Sequence, residues 1–537
     1  MKKKILISLC TLGFMIVVPI QELSAQSQQY GKVDFNVSCN EQVQADFEHA
    51  LALLHHMMYE QARDRFNKIA EQDTGCAIAQ WGIAMSYIHP LWGQRPSDAD
   101  FESGSKALAK AKEMGNLSDR EIAYINAVDP FFEDWETTPY RDQLAAFEEG
   151  YRELHKQYPD DEDGSAFYAL GHLATAPPDD ETLSHQQKAG TMLEELREQH
   201  PEHPGLFHYI IHAYDNPKLA ERAVEVARAY DKVAPDVPHA LHMPSHIFVR
   251  QGIWSDVIDW NKRSAEAALR QSSEDEVSMH YVHALDYLTY AHLQRGEDKK
   301  AKEVARKTIE INNLQDHLGS AYAVAAAQAR YNLEREEWNK AAQIDLQTPN
   351  NFSLEKYPAI QSMIYFARGI GAARSGDLDG ARKAREELDN IYDLLKEKEE
   401  NYWAVLTDAQ RMTVESWMVL EEGNQEKGLT LMKEAADTED SVDKHPITPG
   451  HILPARELLG DMLLNMDRPE EALKAYEESL EISANRFRSL YGAGRAAELA
   501  GNMDKAKEHY KALVAIVSPE EVERPIFKEV QSFLVTN

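Results

Sequence analysis

The sequence predicts an all-α fold, a solenoid of antiparallel helix pairs wound into a right-handed superhelix that could close in two halves. Three observations carry this. No stretch shows sustained strand-like alternation, whereas apolar residues recur at helical spacing through most of the chain. Histidines and prolines repeat at one interval: 208 to 242, 212 to 246, 246 to 280, and Pro204 to Pro238 all differ by 34. Near the end, Ala472 and Ala506, and Tyr476 and Tyr510, differ by the same 34. With 537 residues the chain is too long for one compact core, and stacked units remove that limit.

A 34-residue period is the signature of the tetratricopeptide repeat (TPR), two helices per unit. Residues 43–72 read as a hairpin: Phe47, Ala50, Leu51 and Leu54 form one stripe, and Ala62, Phe66 and Ile69 the other. Residues 73–92 read as the next helix, ended by Pro90, and residues 96–160 as about three looser helices. Paired helices follow at 163–175 and 181–200, 204–215 and 217–234, 238–251 and 253–270, and 279–295 and 297–313, with 317–335 closing this half. The pattern lapses around Thr348-Pro349-Asn350-Asn351, resumes near 357, and is interrupted again by the polar loop 437–452. The expected division is a signal peptide (1–25), a tether (26–42), an N-terminal solenoid (43–345) and a C-terminal solenoid (356–537).

The chain starts with three lysines, an apolar run over Ile5 to Ile20, and Leu23-Ser24-Ala25, which reads as an export signal cleaved before Gln26. The expected setting is periplasmic or secreted, with no membrane insertion after cleavage. Losing residues 1–25 removes three lysines and Glu22 and moves the formal charge from −33 to −35. That surface repels nucleic acid and anionic lipid and suits cationic peptides or metal ions. Cys39 and Cys76 are then the remaining cysteines, and an oxidising compartment favours a disulfide between them. Such a bridge contributes roughly 3–4 kcal/mol in the chain-entropy account.

Three segments, DTGCAIAQWGIAMSYIHPLW, HALHMPSHIFVRQGIW and HPITPGHILPARELLGDMLL, resemble a group of exported bacterial tetratricopeptide proteins, similar in turn to a eukaryotic tetratricopeptide protein without an assigned activity. The resemblance implies the fold and export, and transfers no catalytic residue.

Function turns on the histidines. His208/His212 and His242/His246 are i,i+4 pairs, each on one helix face, at positions expected to line a concave groove. His239, His280 and His283 add to the cluster, with Asp215 and Asp286 close in sequence. Adjacent helix axes lie about 8–10 Å apart and metal–imidazole bonds are about 2.0–2.1 Å, so two neighbouring helices can share an ion and three in a row cannot. The expected site is His242 and His246 with His212 or His280, completed by Asp286 or water, holding a divalent transition metal. Three imidazoles suit zinc or copper, and a mixed carboxylate set suits iron. His55, His56 and His89 are secondary candidates, and His445 and His451 could bring the 437–452 loop down as a lid. Trp81, Trp92 and Tyr87 read as core aromatics. No phosphate-cradling loop, nucleophile dyad or H-E-x-x-H motif is present, so enzymatic activity stays open. The expected function is an exported solenoid that binds a small molecule, peptide or protein through a histidine-lined groove. The alternatives are a metal-free interaction scaffold of the cell envelope and a metal-dependent hydrolase or oxidase.

Overall fold

The computed structural model describes residues 29–92, 95–177, 180–272, 276–345 and 353–537. The expected export signal and the Thr348–Asn351 boundary lie outside them. Among the described residues helix is the only regular secondary structure, apart from one bridge between Val277 and Leu314. It is a TPR-type α-solenoid. Antiparallel partners follow one another: Gln44–His55 with Tyr59–Gln72, Glu162–Ala174 with Ser184–Gln199, Pro204–Tyr214 with Ala220–Ala229, and so on to Phe487–Leu499 with Met503–Ile516 and the closing helix Pro525–Thr536. No described helix is long and apolar enough to cross a membrane.

The repeat forms because small residues on one helix receive an aromatic from the next. Tyr476 lies against Gly460 and Gly492, where any Cβ would stand 2.7 Å and 2.4 Å from its ring. Ala472 and Ala506, one turn before Tyr476 and Tyr510 on the same helices, are fully buried. Such interlocking leaves no room for an extra methylene. Where loops feed helices, local chemistry sets the start: Ser97 and Ser118 both form reciprocal capping boxes, with Asp100 and Glu121.

Two helix ends differ from the sequence reading. The helix from Ala77 stops at Met85, five residues before Pro90. The 238–251 helix divides into Pro238–His242 and Pro244–Arg250. Pro244 has no N–H to donate to the Ala240 carbonyl, so one rung of the ladder is lost. Met243 keeps helical dihedrals (φ −52°, ψ −39°), and the path continues.

The N-terminal segment is a strap. Phe35 is fully buried among Phe47, Trp81 and Tyr124, the Lys32 N–H donates to the Glu202 carbonyl, and a Cys39–Cys76 disulfide (S–S 2.04 Å) ties the strap to the second hairpin. The C-terminal repeats fold back on the middle of the chain. Trp254 Nε1 donates to the Asn485 carbonyl (2.8 Å), the Phe487 N–H to Gln294 (2.8 Å), and Arg524 pairs with Asp298 (2.6 Å).

Candidate functional site: two histidine trios under a loop

The i,i+4 spacing sets the first geometry. On the Pro238–Arg250 path, His242 and His246 present Nε2 atoms 3.0 Å apart. On Pro204–Tyr214, the Nε2 atoms of His208 and His212 stand 3.2 Å apart. The neighbouring helices add one histidine each. The ligand-capable atoms of His242, His246 and His283 lie within 4.8 Å of one another, and so do those of His208, His212 and His239.

The partners of the other ring nitrogens decide what these contacts are. His242 Nδ1 is 2.8 Å from Asn261 Oδ1. The Asn261 amide nitrogen is engaged with the Val257 carbonyl (2.8 Å), which fixes the oxygen toward the ring. His246 Nδ1 is 2.9 Å from Asp215 Oδ2. Both partners accept, so both Nδ1 atoms carry the proton and both Nε2 atoms present lone pairs. Two lone pairs 3.0 Å apart repel unless a cation lies between them. Two nitrogens sharing a tetrahedral ion at about 2.0–2.1 Å stand roughly 3.3 Å apart, close to the observed separation. A proton is the alternative cation. Burial first, then the neighbouring imidazoles, depress the basicity of His242 and His283 far below the ordinary histidine range; burial also lowers His246, against the pull of Asp215. The trio is therefore neutral at pH 7.

Asp215 is itself anchored. Its carboxylate accepts from Arg250 Nε (2.8 Å) and Lys444 Nζ (3.1 Å) besides His246. Carboxylate-to-imidazole support of this kind holds a metal-ligating histidine in one tautomer and orientation.

Lys444 belongs to the loop between helices Gln425–Asp440 and Ala455–Asn465, which lies over the histidines. Arg250 grips Asp443 through both terminal nitrogens (2.8 and 2.7 Å). Tyr287 donates to the Thr448 carbonyl (3.2 Å) and Tyr322 to the Thr448 hydroxyl (2.8 Å), while Arg330 donates to the carbonyls of Gly450 (3.3 Å) and His451 (3.0 Å). Beneath His445, Pro446 and Ile447 is a cavity of about 80 Å³ that His212, His239, His246 and His283 also line. That is room for two or three water-sized groups.

The sequence candidates divide as follows. His208, His212, His242, His246 and His283 are brought together. His280 is not in either trio: its ring stands 5.4 Å from that of His239, on the cavity wall. Counting from helix starts explains this. His208 and His242 are fifth residues from Pro204 and Pro238, and the next helix starts at Met279, 41 residues after Pro238 and not 34. Its fifth residue is His283 and its ninth is Tyr287, which packs on His242 and His246 (ring centroids 4.5 and 5.6 Å). The longer connection moved His280 to the second helical position. The third residue of the first trio is thus His283, where the sequence reading placed His212 or His280.

Asp286 also stands apart. It is fully buried against Arg330 (Oδ1 to Nε 3.5 Å), and burial raises its carboxyl to about 6. With Asp286 turned to Arg330 and Asp215 to its cations and His246 Nδ1, no carboxylate joins either trio, and the mixed histidine–carboxylate set among the described residues lies elsewhere, at His55, Asp163 and His203. His55 joins Asp163 (2.8 Å) and His203 (3.0 Å to the same oxygen) in a separate buried group. His56 is held by Tyr230 and the Tyr30 carbonyl. His89 packs between Tyr59 and Trp92. Trp81 is core, as expected, whereas Trp92 lines the cavity. The sequence reading had His239 only as an addition to the cluster; its place three residues before His242 is the signal for it.

Tetratricopeptide-repeat family models match residues 453–486 and 488–516. No curated protein matches the chain. Solved structures with a similar course include a human IFIT1 dimer with PPP-AAAA (12% identity, 87% of this chain, 89% of that one, TM-score 0.39) and a human IFIT1 dimer with m7Gppp-AAAA (12%, 87%, 94%, 0.40). At these values the likeness carries no argument about this chain. The repeats matched at the C-terminal end, with the helix pairs that precede them, make this chain a TPR-type solenoid.

Proposed function

We propose that this solenoid binds a divalent transition metal through His242, His246 and His283 and presents it to a small ligand beneath the 441–454 loop. The observation that carries this reading is the 3.0 Å approach of two Nε2 lone pairs whose Nδ1 protons are both committed. Three neutral imidazoles with room for a further ligand suit zinc or copper. Such an ion would polarise a bound water or carbonyl, and whether a reaction follows is left to assay. The Cys39–Cys76 bridge supports an oxidising, exported setting.

The broader reading, a scaffold for protein or ligand binding, rests on the tetratricopeptide repeats alone. The two separate on metal content. Protein purified in chelator-treated buffer, reloaded with zinc or copper and desalted, is expected to retain metal, and a His242→Ala/His246→Ala variant is expected to lose it from this site. Equal metal in both proteins would remove the site and leave the scaffold.

A further inference from the structure

We propose that the second trio, His208, His212 and His239, holds a second ion, so that the cavity is a two-ion centre built from six imidazoles. This rests on the first site being a metal site. The 34-residue repeat copies the i,i+4 pair of one unit into the next, and the structure gives each copy one more histidine from a neighbouring helix.

The independent evidence is in the second trio's own hydrogen bonds. His208 Nδ1 donates to the His55 carbonyl (2.8 Å), so its Nε2 carries a lone pair directed at His212 Nε2 3.2 Å away. His239 has both ring nitrogens shut off from solvent with no hydrogen-bond partner among the described residues. A buried imidazole leaves its polar atoms unpaired at a cost of about 1–3 kcal/mol. A ligated ion would remove that penalty, and no protein group among the described residues does.

The trios share a wall. The His212 and His246 rings stand 6.3 Å apart by centroid, and those of His239 and His242 6.2 Å. Two members of each trio line the same 80 Å³ cavity. A ligand there would touch both ions, as in two-metal sites, where the ions lie about 3.5–4 Å apart. With no carboxylate in either set, two ions need a bridging anion such as hydroxide, or the monovalent state of copper, to limit buried charge. All-imidazole ligation favours copper or zinc over magnesium, calcium or manganese. Met243 and Met279, thioethers on the same cavity wall, favour copper.

The test uses the full chain stripped with chelator, reloaded with copper(II) and desalted. Wild type is expected to hold two ions per chain, and its EPR spectrum to show coupling or loss of signal relative to the copper present. His239→Gln and His208→Asn are expected to hold one ion with an isolated, fully integrating signal, at unchanged helical circular dichroism. Two ions with two isolated signals, or one ion in wild type that is lost only with His242→Ala/His246→Ala, would overturn the pair and leave the first site standing. No ion in wild type would overturn both. The wild-type spectrum decides the matter even where a variant fails to fold.

Discussion

Two buried polar clusters, one among the histidine repeats and one where the C-terminal repeats meet the middle of the chain, solve opposite problems. Around Arg486, fully buried, every donor nitrogen finds an acceptor: Nη1 on Tyr290 (2.7 Å), Nη2 on Glu334 (2.8 Å), and Nε on Glu457 (3.1 Å). Arg488 is likewise divided among Glu457, Glu336 and Asp461. Both guanidinium groups are met by carboxylates of the protein itself, with Glu334 Oε2 alone left over, and the result locks the Phe487–Leu499 helix to the central helices. In the first histidine trio, His242 and His246 set acceptor against acceptor, and neither trio contains an anion. A network whose cations find their anions inside the protein fastens two parts of a chain, whereas the surplus lone pairs of His242 and His246 fit the cation from outside that we propose.

The sharpest way to break the comparison is to damage the complete network. Arg486→Ala strands the buried Glu334 and leaves Glu457 to Arg488 and Ser489 alone, and a loss of about 3–5 kcal/mol in denaturant unfolding is expected. Replacing Arg486, Glu334 and Glu457 together by Met, Leu and Leu is expected to recover most of it. A loss from the triple change as large as from the single one would show that packing, not charge matching, holds this joint.

The same operation on the histidines should behave differently. His242→Ala/His246→Ala is expected to change the chelated protein little beyond the side chains lost. It should remove this site's share of the stabilisation that added metal confers, about 4 kcal/mol per site at a thousandfold excess over Kd. Differential scanning calorimetry with and without metal reads this directly. A variant that metal still stabilises as it does wild type contradicts the assignment.

A subtler test acts on orientation. Asn261→Ala frees His242 to exchange tautomers and is expected to weaken metal binding roughly 10–100-fold. Asn261→Asp, which keeps an acceptor against Nδ1, should recover most of it. Equal affinity in all three proteins would show that Asn261 does not set the tautomer.

A last test of the buried polar groups is a pH slope. Burial pushes the Glu439 carboxyl up to about 8, against the Ala455 N–H it accepts (2.7 Å). A folded-state value above the unfolded one, 4.5, means the contribution is fully present below 4.5 and declines as pH rises through 8. Glu439→Gln is expected to flatten stability between those values, as followed by urea midpoints. An unchanged slope would assign it elsewhere.

Much of this was legible in the sequence because repetition is a local signal. The helix pairs, the buried Ala472 and Ala506, and the two i,i+4 histidine pairs follow from spacing alone. The third ligand did not, because a fixed interval of 34 assumes equal connections. An unbroken interval carries the fifth and ninth helical positions from His242 and His246 to Glu276 and His280. The longer connection before Met279 gives those positions to His283 and Tyr287 instead. Asp286 misled for another reason: its fully buried partner Arg330 comes from a helix 44 residues on, and no local pattern announces that pairing. The loop over the cavity depends on contacts such as Arg250 with Asp443, 193 residues apart.

The central claim is that His242 and His246 share one ion through facing Nε2 atoms. Anomalous diffraction at the metal edge, from crystals of reloaded protein, tests it most directly. The account predicts a strong peak about 2.0–2.1 Å from both Nε2 atoms, beneath the 441–454 loop. A peak confined to the acidic surface, or none at all, would contradict it.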